Sequence, residues 1–330
     1  MGENITKIIL VGAGQLGSRH LQGLSKLDLY TDITVIDPNT QALSTAQARL
    51  EEVGGSRYIK KINFASSLDK VELTEATLAI IATTADFRLG TTRSLLEKMR
   101  IKNILFEKVL CQSNKEINEI SHLVQLNNAN AWVNCPRRVY PFYSELKQLF
   151  SQENPITYYL DGGEWGLACN AIHFLDHIAF LIGKSAFEID GNRLDQGFVK
   201  SKREKFIELT GSLTGFFADG SEFVLHSRRG SQAPHIIYIQ SKEFQIIIDE
   251  TRGQARIAEK DTDWQWRQVD FRLPFQSELT HIVVRDILTK GRCDLTTLEE
   301  SCRIHSPFLE VILCHLNKDC VDLLNACPIT

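Results

Sequence analysis

Apolar positions along the 330-residue chain fall into two rhythms. In the first, short unbroken apolar runs alternate with stretches at helical spacing. Ile8-Ile9-Leu10-Val11 opens the series and turns into a helix over 15–25, where Leu16, His20, Leu21 and Leu24 recur at helical intervals. Strands are predicted at 33–36, 58–62, 77–82, 103–106 and 131–134, with helices near 41–52, 88–99 and 114–126 between them. The run Thr77-Leu78-Ala79-Ile80-Ile81-Ala82 has almost no polar face, which suits a parallel strand covered on both sides. Six strands alternating with helices predict a doubly wound parallel sheet, and place a first domain over residues 1–134.

The second rhythm has a period of two. A connecting helix at 138–150, a strand at 156–160 and an amphipathic helix at 170–181 precede it. Strand-like segments follow at 204–210, 213–217, 221–226, 236–240, 244–248 and 255–258, divided by turns such as Ala218-Asp219-Gly220 and Thr251-Arg252-Gly253. They predict hairpins of a large open, mainly antiparallel sheet, closed by helices near 275–289 and 298–316. The fold class is therefore α/β, with the parallel sheet followed by an α+β domain over residues 135–330, and a cleft is expected where the two pack. Alternating apolar residues over 236–248 predict pairing through that sheet as a homodimer or homotetramer.

Composition narrows the partners. With 43% apolar and 24% charged residues the chain reads as soluble and globular, and a net charge of −4 gives no general attraction to nucleic acid or to an anionic membrane. The densest basic run, Lys200–Lys205, reads as a solvated loop. A short polar lead enters the first strand directly, without the apolar core of a secretory signal, so a cytoplasmic location is expected. Eight scattered cysteines, Cys320 among them, form no C-x-x-C pair and fit no zinc spacing; free thiols and no metal are expected.

Chemistry enters at the first turn. Gly12, Gly14 and Gly17 have G-x-G-x-x-G spacing between a strand and a helix, the signature of a Rossmann dinucleotide site. Glycine at 12 permits the tight turn, glycine at 14 lets a pyrophosphate approach the backbone, and glycine at 17 lets helix and strand pack closely. The N–H groups of the helix start, around Gln15 and Leu16, then face the phosphates. Asp37, about twenty residues on at the end of the second strand, is placed to accept both adenosine ribose hydroxyls, and its charge disfavours a 2′-phosphate. NAD is thus expected over NADP. Thr83 and Thr84 end the fourth strand, where ligands of such sheets collect, and Glu107-Lys108 end the fifth.

Taken in order over almost the whole chain, these motifs and the helix Ala171-Ile172-His173-Phe174-Leu175-Asp176 resemble the glucose-fructose oxidoreductase, inositol dehydrogenase and rhizopine-catabolism (Gfo/Idh/MocA) family. The resemblance implies that Lys108, in a motif usually ending Glu-Lys-Pro, donates to the substrate oxygen beside the nicotinamide, with Glu107 at the cofactor. Val109 replaces the proline. It also implies His173 as acid/base with Asp176 one turn later, whereas Cys169, followed by Asn170, stands where the family has an aspartate. Arg137 and Arg138 suit bidentate recognition of an anionic substrate, Trp165 offers a sugar-stacking ring, Asn170 is a further candidate for substrate binding, and His226, Arg228, Arg229 and His235 flank an opposite hairpin. The expected activity is an NAD-dependent dehydrogenase or reductase acting on the hydroxyl or keto carbon of a carbohydrate-like substrate, such as a sugar nucleotide or acidic sugar of surface polysaccharide. The alternative is a non-catalytic NAD- or sugar-binding regulator on the same fold, favoured by the lost carboxylate at Cys169.

Overall fold

The computed structural model describes residues 5–150, 154–318 and 322–330. It divides into two units: Met1–Cys111, Lys115–Pro136 and Pro274–Glu299 form the first, and Gln112–Asn114, Arg137–Leu273 and Glu300–Thr330 the second.

In the first unit, β1 (Thr6–Val11), α1 (Gln15–Leu24), β2 (Thr31–Ile36), α2 (Thr40–Glu52), β3 (Ile59–Ala65), β4 (Glu75–Ile81), α3 (Ala85–Lys98), β5 (Arg100–Glu107), α4 (Asn114–Leu126) and β6 (Asn130–Asn134) follow one another. All six strands run parallel, in the sheet order β6-β5-β4-β1-β2-β3. The apolar runs explain this arrangement: Ile8, Ile9, Leu10, Leu78, Ala79 and Ile80 are fully buried, as strands covered on both faces require.

In the second unit, α5 (Pro141–Leu146), β7 (Thr157–Gly162) and α6 (Leu167–Ile182) lead into β8 (Phe187–Leu194), β9 (Val199–Lys200), β10 (Ile207–Glu208), β11 (Gly211–Phe217), β12 (Glu222–Ser227), β13 (Ile236–Gln240), β14 (Phe244–Asp249), β15 (Gln254–Glu259) and β16 (Arg267–Asp270). An eight-stranded sheet has the order β16-β15-β14-β13-β7-β12-β11-β8, antiparallel except for the β7–β12 pair. One face carries the core residues Tyr158, Leu160, Phe223, Leu225, Ile237, Ile239, Ile246 and Ile248. The helix α8 (Leu298–Asn317) belongs mostly to this unit.

Three expectations are corrected. The second domain does not run unbroken from 135 to 330, because 274–299 returns to the first unit. There α7 (Gln276–Lys290) packs on α1, and the short strand β17 (Thr296–Thr297) pairs antiparallel with β6, making a seventh strand. Gly23 permits that helix contact, since a Cβ there would lie 2.6 Å from the Thr280 side chain. The connecting helix over 138–150 is broken into a 3-10 turn at Pro136–Val139, α5, and a second turn at Lys147–Leu149, because Pro141 fits only at a helix start. The segment 204–210 forms only the two-residue β10, paired with β9 outside the large sheet.

Cys111, Cys135, Cys169, Cys293, Cys302, Cys314 and Cys327 are free thiols, while Cys320 lies outside the described residues. Among the described residues no helix is long and apolar enough to cross a membrane, and no group of three or more His, Cys, Asp or Glu could hold a metal ion.

Candidate active site

The three glycines do different work. Gly12 follows β1 with φ +93°, and a Cβ on it would lie 2.8 Å from the Ala82 carbonyl carbon. A Cβ on Gly17 would lie 1.8 Å from the Gly12 oxygen. Both are therefore needed by the turn itself. Gly14 is not: its φ of −62° suits any residue, it is exposed, and nothing stands within 4 Å of a Cβ placed there. It occupies the N-cap of α1, where no side chain caps the helix and the space a Cβ would enter is open, so no capping side chain takes up the first N–H groups. That combination fits a cradle for phosphate oxygens, with Gln15 exposed and Leu16 half-buried at its rim.

The candidates on neighbouring strands end at the same edge. Asp37 follows β2; one carboxylate oxygen accepts the Ala13 N–H at 2.7 Å and the other the Asn39 N–H at 2.8 Å. The carboxylate thus braces the glycine turn while staying half-buried. Thr83 and Thr84 follow β4, where Thr84 Oγ1 donates to Asp86 at 2.5 Å. Thr83 Oγ1 is buried with no hydrogen-bond partner among the described residues, an orphaned donor that fits a ligand contact. Lys108 follows β5 and is half-buried, and its peptide bond to Val109 is cis. The order β5-β4-β1-β2 puts these residues at the carboxyl ends of adjacent strands, across the point where the sheet order reverses.

Glu107 differs from expectation. Rather than facing a cofactor it is 3% exposed, with Oε1 2.8 Å from His20 Nε2 and accepting Asn134 Nδ2 at 2.6 Å. His20 Nδ1 in turn lies 3.0 Å from Thr280 Oγ1, and Asn134 Nδ2 also donates to Gln276 Oε1 at 2.8 Å. This buried network ties α1, β5, β6 and α7 together, and gives His20 a role beyond packing. Its position three residues after Gly17 is visible in the sequence; its partners on β5 and α7 are not.

In the second unit, α6 lies between two left-handed glycines, Gly166 and Gly183. Trp165 just before it is half-buried, its indole N–H donates to the His226 carbonyl at 2.8 Å, and Asn170 Nδ2 donates to the Trp165 carbonyl at 3.0 Å. Cys169 is buried against β10: its N–H donates to Glu208 Oε2 at 3.2 Å and its thiol to the Ile207 carbonyl at 3.8 Å. His173, one helical turn on, is half-buried.

The arginines and Asp176 are engaged inside the unit. Arg138 holds Asp176 through Nε and Nη2, both at 2.9 Å, and reaches Glu300 at 2.9 and 3.0 Å. Arg137 forks onto Glu250 at 2.9 and 2.5 Å and lies over the Phe174 ring at 4.2 Å. Glu250 also accepts the Tyr143 hydroxyl at 2.6 Å and stands 3.0 Å from His235 Nε2. Burial pushes the Glu250 carboxyl up, but Arg137, His235 and Tyr143 together hold it well below the usual carboxylate range. Burial likewise opposes the charge on both arginines, and their carboxylate partners keep them protonated. The two arginines expected to grip an anionic substrate thus each hold a carboxylate of their own unit, and both oxygens of Asp176, expected as a catalytic group, are bound by Arg138. Glu250, at the end of the strand Ile246-Ile247-Ile248-Asp249, carries no sequence signal because nothing local marks it.

Of the other flanking residues, Arg228 pairs weakly with Asp161 at 3.3 Å, Arg229 bonds Thr210 at 3.0 Å, and His226 Nδ1 lies 2.8 Å from Ser212 Oγ. They stand on strand ends and turns of the large sheet.

No family model and no curated protein sequence matches the chain. Solved structures do. An oxidoreductase from Agrobacterium radiobacter, in complex with NAD+, L-tartaric acid and magnesium, superposes with a TM-score of 0.74 at 12% identity, over 96% of this chain and 98% of that one. The transcriptional regulator Gal80p from Kluyveromyces lactis gives 0.70 at 13% identity over 98% and 95%. A Gfo/Idh/MocA family oxidoreductase from Vibrio cholerae gives 0.67 at 17% identity over 94% and 98%. Identities this low speak to the fold alone, and the chain has the fold of the Gfo/Idh/MocA-type oxidoreductases.

Proposed function

We propose that the first unit binds NAD and that the chain is an NAD-dependent oxidoreductase acting on a hydroxyl or keto carbon of a polyhydroxylated, sugar-like substrate. The observation that carries this reading is Gly14, a glycine at a helix start without a side-chain cap, where a Cβ would meet nothing within 4 Å. Thr83 with its orphaned hydroxyl and Asp37 at the ends of neighbouring strands support it, as does the NAD+ and tartaric acid complex of the Agrobacterium protein. The adenosine ribose would meet Asp37, whose charge disfavours a 2′-phosphate, and the pyrophosphate would meet residues 12–17.

When bound, the nicotinamide supplies the hydride acceptor or donor. Lys108 is the group proposed to hold the substrate oxygen and stabilise charge on it, and His173 the group proposed to take or give its proton. Arg137 and Arg138 are paired internally, which favours a neutral polyol over an anionic substrate. Trp165 and Asn170 remain candidates for its hydroxyl-bearing face. The outer face of the large sheet carries a half-exposed row of Val224, Tyr159, Tyr238 and Ile247 on adjacent strands, the surface proposed to pair subunits into a homodimer or homotetramer.

A second reading, a non-catalytic NAD- or sugar-binding regulator, is favoured by one observation: Cys169 stands where the resemblance calls for a carboxylate. Gal80p has the same fold. The experiment is an NADH titration together with hydride-transfer assays across inositols, acidic sugars and sugar nucleotides. A catalyst turns over at least one class and loses that turnover in Lys108→Met, while NADH affinity stays within about twofold. NADH binding with no turnover on any class supports the regulator.

A further inference from the structure

Arg88 is the largest fully buried side chain of the chain's described residues, 1% exposed, and no motif marks it. It is the fourth residue of α3, where the helix dipole disfavours a cation and burial adds a desolvation cost. What offsets these costs is a set of main-chain oxygens. Its Nη2 donates to the Thr83 carbonyl, and its Nη1 donates to the carbonyls of Val109 and, at 3.2 Å, Leu110. These oxygens sit on two separate loops. Thr83 follows β4 and carries the orphaned hydroxyl; Val109 and Leu110 follow Lys108 at the end of β5, the neighbouring strand. One planar guanidinium therefore spans both loops and fixes the backbone that presents Thr83 on one side and Lys108 on the other.

We infer that Arg88 is a positioning residue, which sets the placement of Lys108 relative to Thr83 around the nicotinamide end of the dinucleotide. This rests on the reading that the unit binds NAD, and it adds that the adenosine and nicotinamide ends depend on different groups. The turn at 12–17 and Asp37 belong to β1 and β2, whereas the two loops that Arg88 spans follow β4 and β5.

The test separates the two ends of the ligand. Arg88→Lys keeps a cation but cannot fork across both loops; Arg88→Gln keeps one donor without charge. For each folded variant the affinities of ADP-ribose, which lacks nicotinamide, and of NADH are measured with the nicotinamide fluorescence of bound NADH. The expected result is ADP-ribose affinity within about twofold of the parent, NADH about tenfold weaker, and the fluorescence change on binding diminished. Equal weakening of both ligands, no weakening of either, or loss of folding in both variants would overturn the inference, since each makes Arg88 a core residue or an idle one. If the parent protein binds neither ligand, the NAD reading itself fails, an outcome distinct from a failure of Arg88 alone.

Discussion

His20 Nε2 stands 2.8 Å from Glu107 Oε1, and neither side chain is more than 4% exposed. The contact joins the helix that follows the glycine turn to the residue just before Lys108. The relative placement of the glycine turn and the lysine is thereby tied to the core of one unit.

That pair is predicted to be structural. Replacing His20 with Ala leaves Glu107 buried with one partner fewer, and the expected loss of stability is about 3–5 kcal/mol. Glu107→Gln keeps the shape and an acceptor, and about 1–3 kcal/mol is expected. Urea denaturation of both variants measures the difference, and a larger loss for Gln than for Ala contradicts the account.

The ion pair of Arg138 with Asp176 is predicted to behave in the same way. Asp176→Ala removes a buried partner of a buried guanidinium and is expected to cost about 3–5 kcal/mol, whereas the double variant Arg138→Met, Asp176→Leu recovers much of that loss. A stability unchanged in Asp176→Ala would make Asp176 a candidate catalytic group again.

Acid sensitivity follows from His177. Its Nδ1 lies 3.1 Å from the Tyr158 hydroxyl, while Nε2 is buried with no hydrogen-bond partner among the described residues. Burial, with the charge of Arg137 nearby, pushes its imidazole down from 6.5 to about 3. The unfolded chain therefore takes up this proton first as pH falls. The contribution to stability is complete above about pH 6.5 and is lost progressively toward pH 3. The double variant Tyr158→Phe, His177→Phe removes the titration without leaving a lone partner. Between pH 7 and pH 5 the parent should lose about 2 kcal/mol more stability than the variant. Parallel pH profiles contradict it.

At Asp37, substitution by Ala is predicted to weaken NADH binding by about tenfold to a hundredfold and to raise the ratio of NADPH to NADH affinity, because the same change removes a ribose acceptor and a negative charge. An unchanged ratio places Asp37 in the turn only, where it already accepts the Ala13 N–H.

Features that depend on neighbours along the chain are legible in the sequence alone. The glycine spacing, Asp37 at the end of β2, the alternation of strands and helices, and the hairpins of the second sheet all arise within a few residues. Features that depend on distant partners are not. Arg137 and Arg138 read as ligand-binding residues because Glu250 and Asp176 lie far along the chain, and Glu300 is 162 residues from Arg138. The return of α7 and β17 to the first unit is hidden for the same reason: a helix with one apolar stripe does not say which sheet it covers. Arg88 is hidden differently, since its partners are carbonyl oxygens, which leave no mark on a sequence.

Gly14 tests the central claim most directly, because the fold has room for a side chain there and a bound pyrophosphate would not. Calorimetric titration of NADH into the parent and into Gly14→Val, with both melting curves recorded, is the decisive measurement. The parent is predicted to bind, and Gly14→Val to melt at a similar temperature with an NADH affinity at least about tenfold weaker. A parent that does not bind NADH, or a variant that binds it equally well, contradicts the claim.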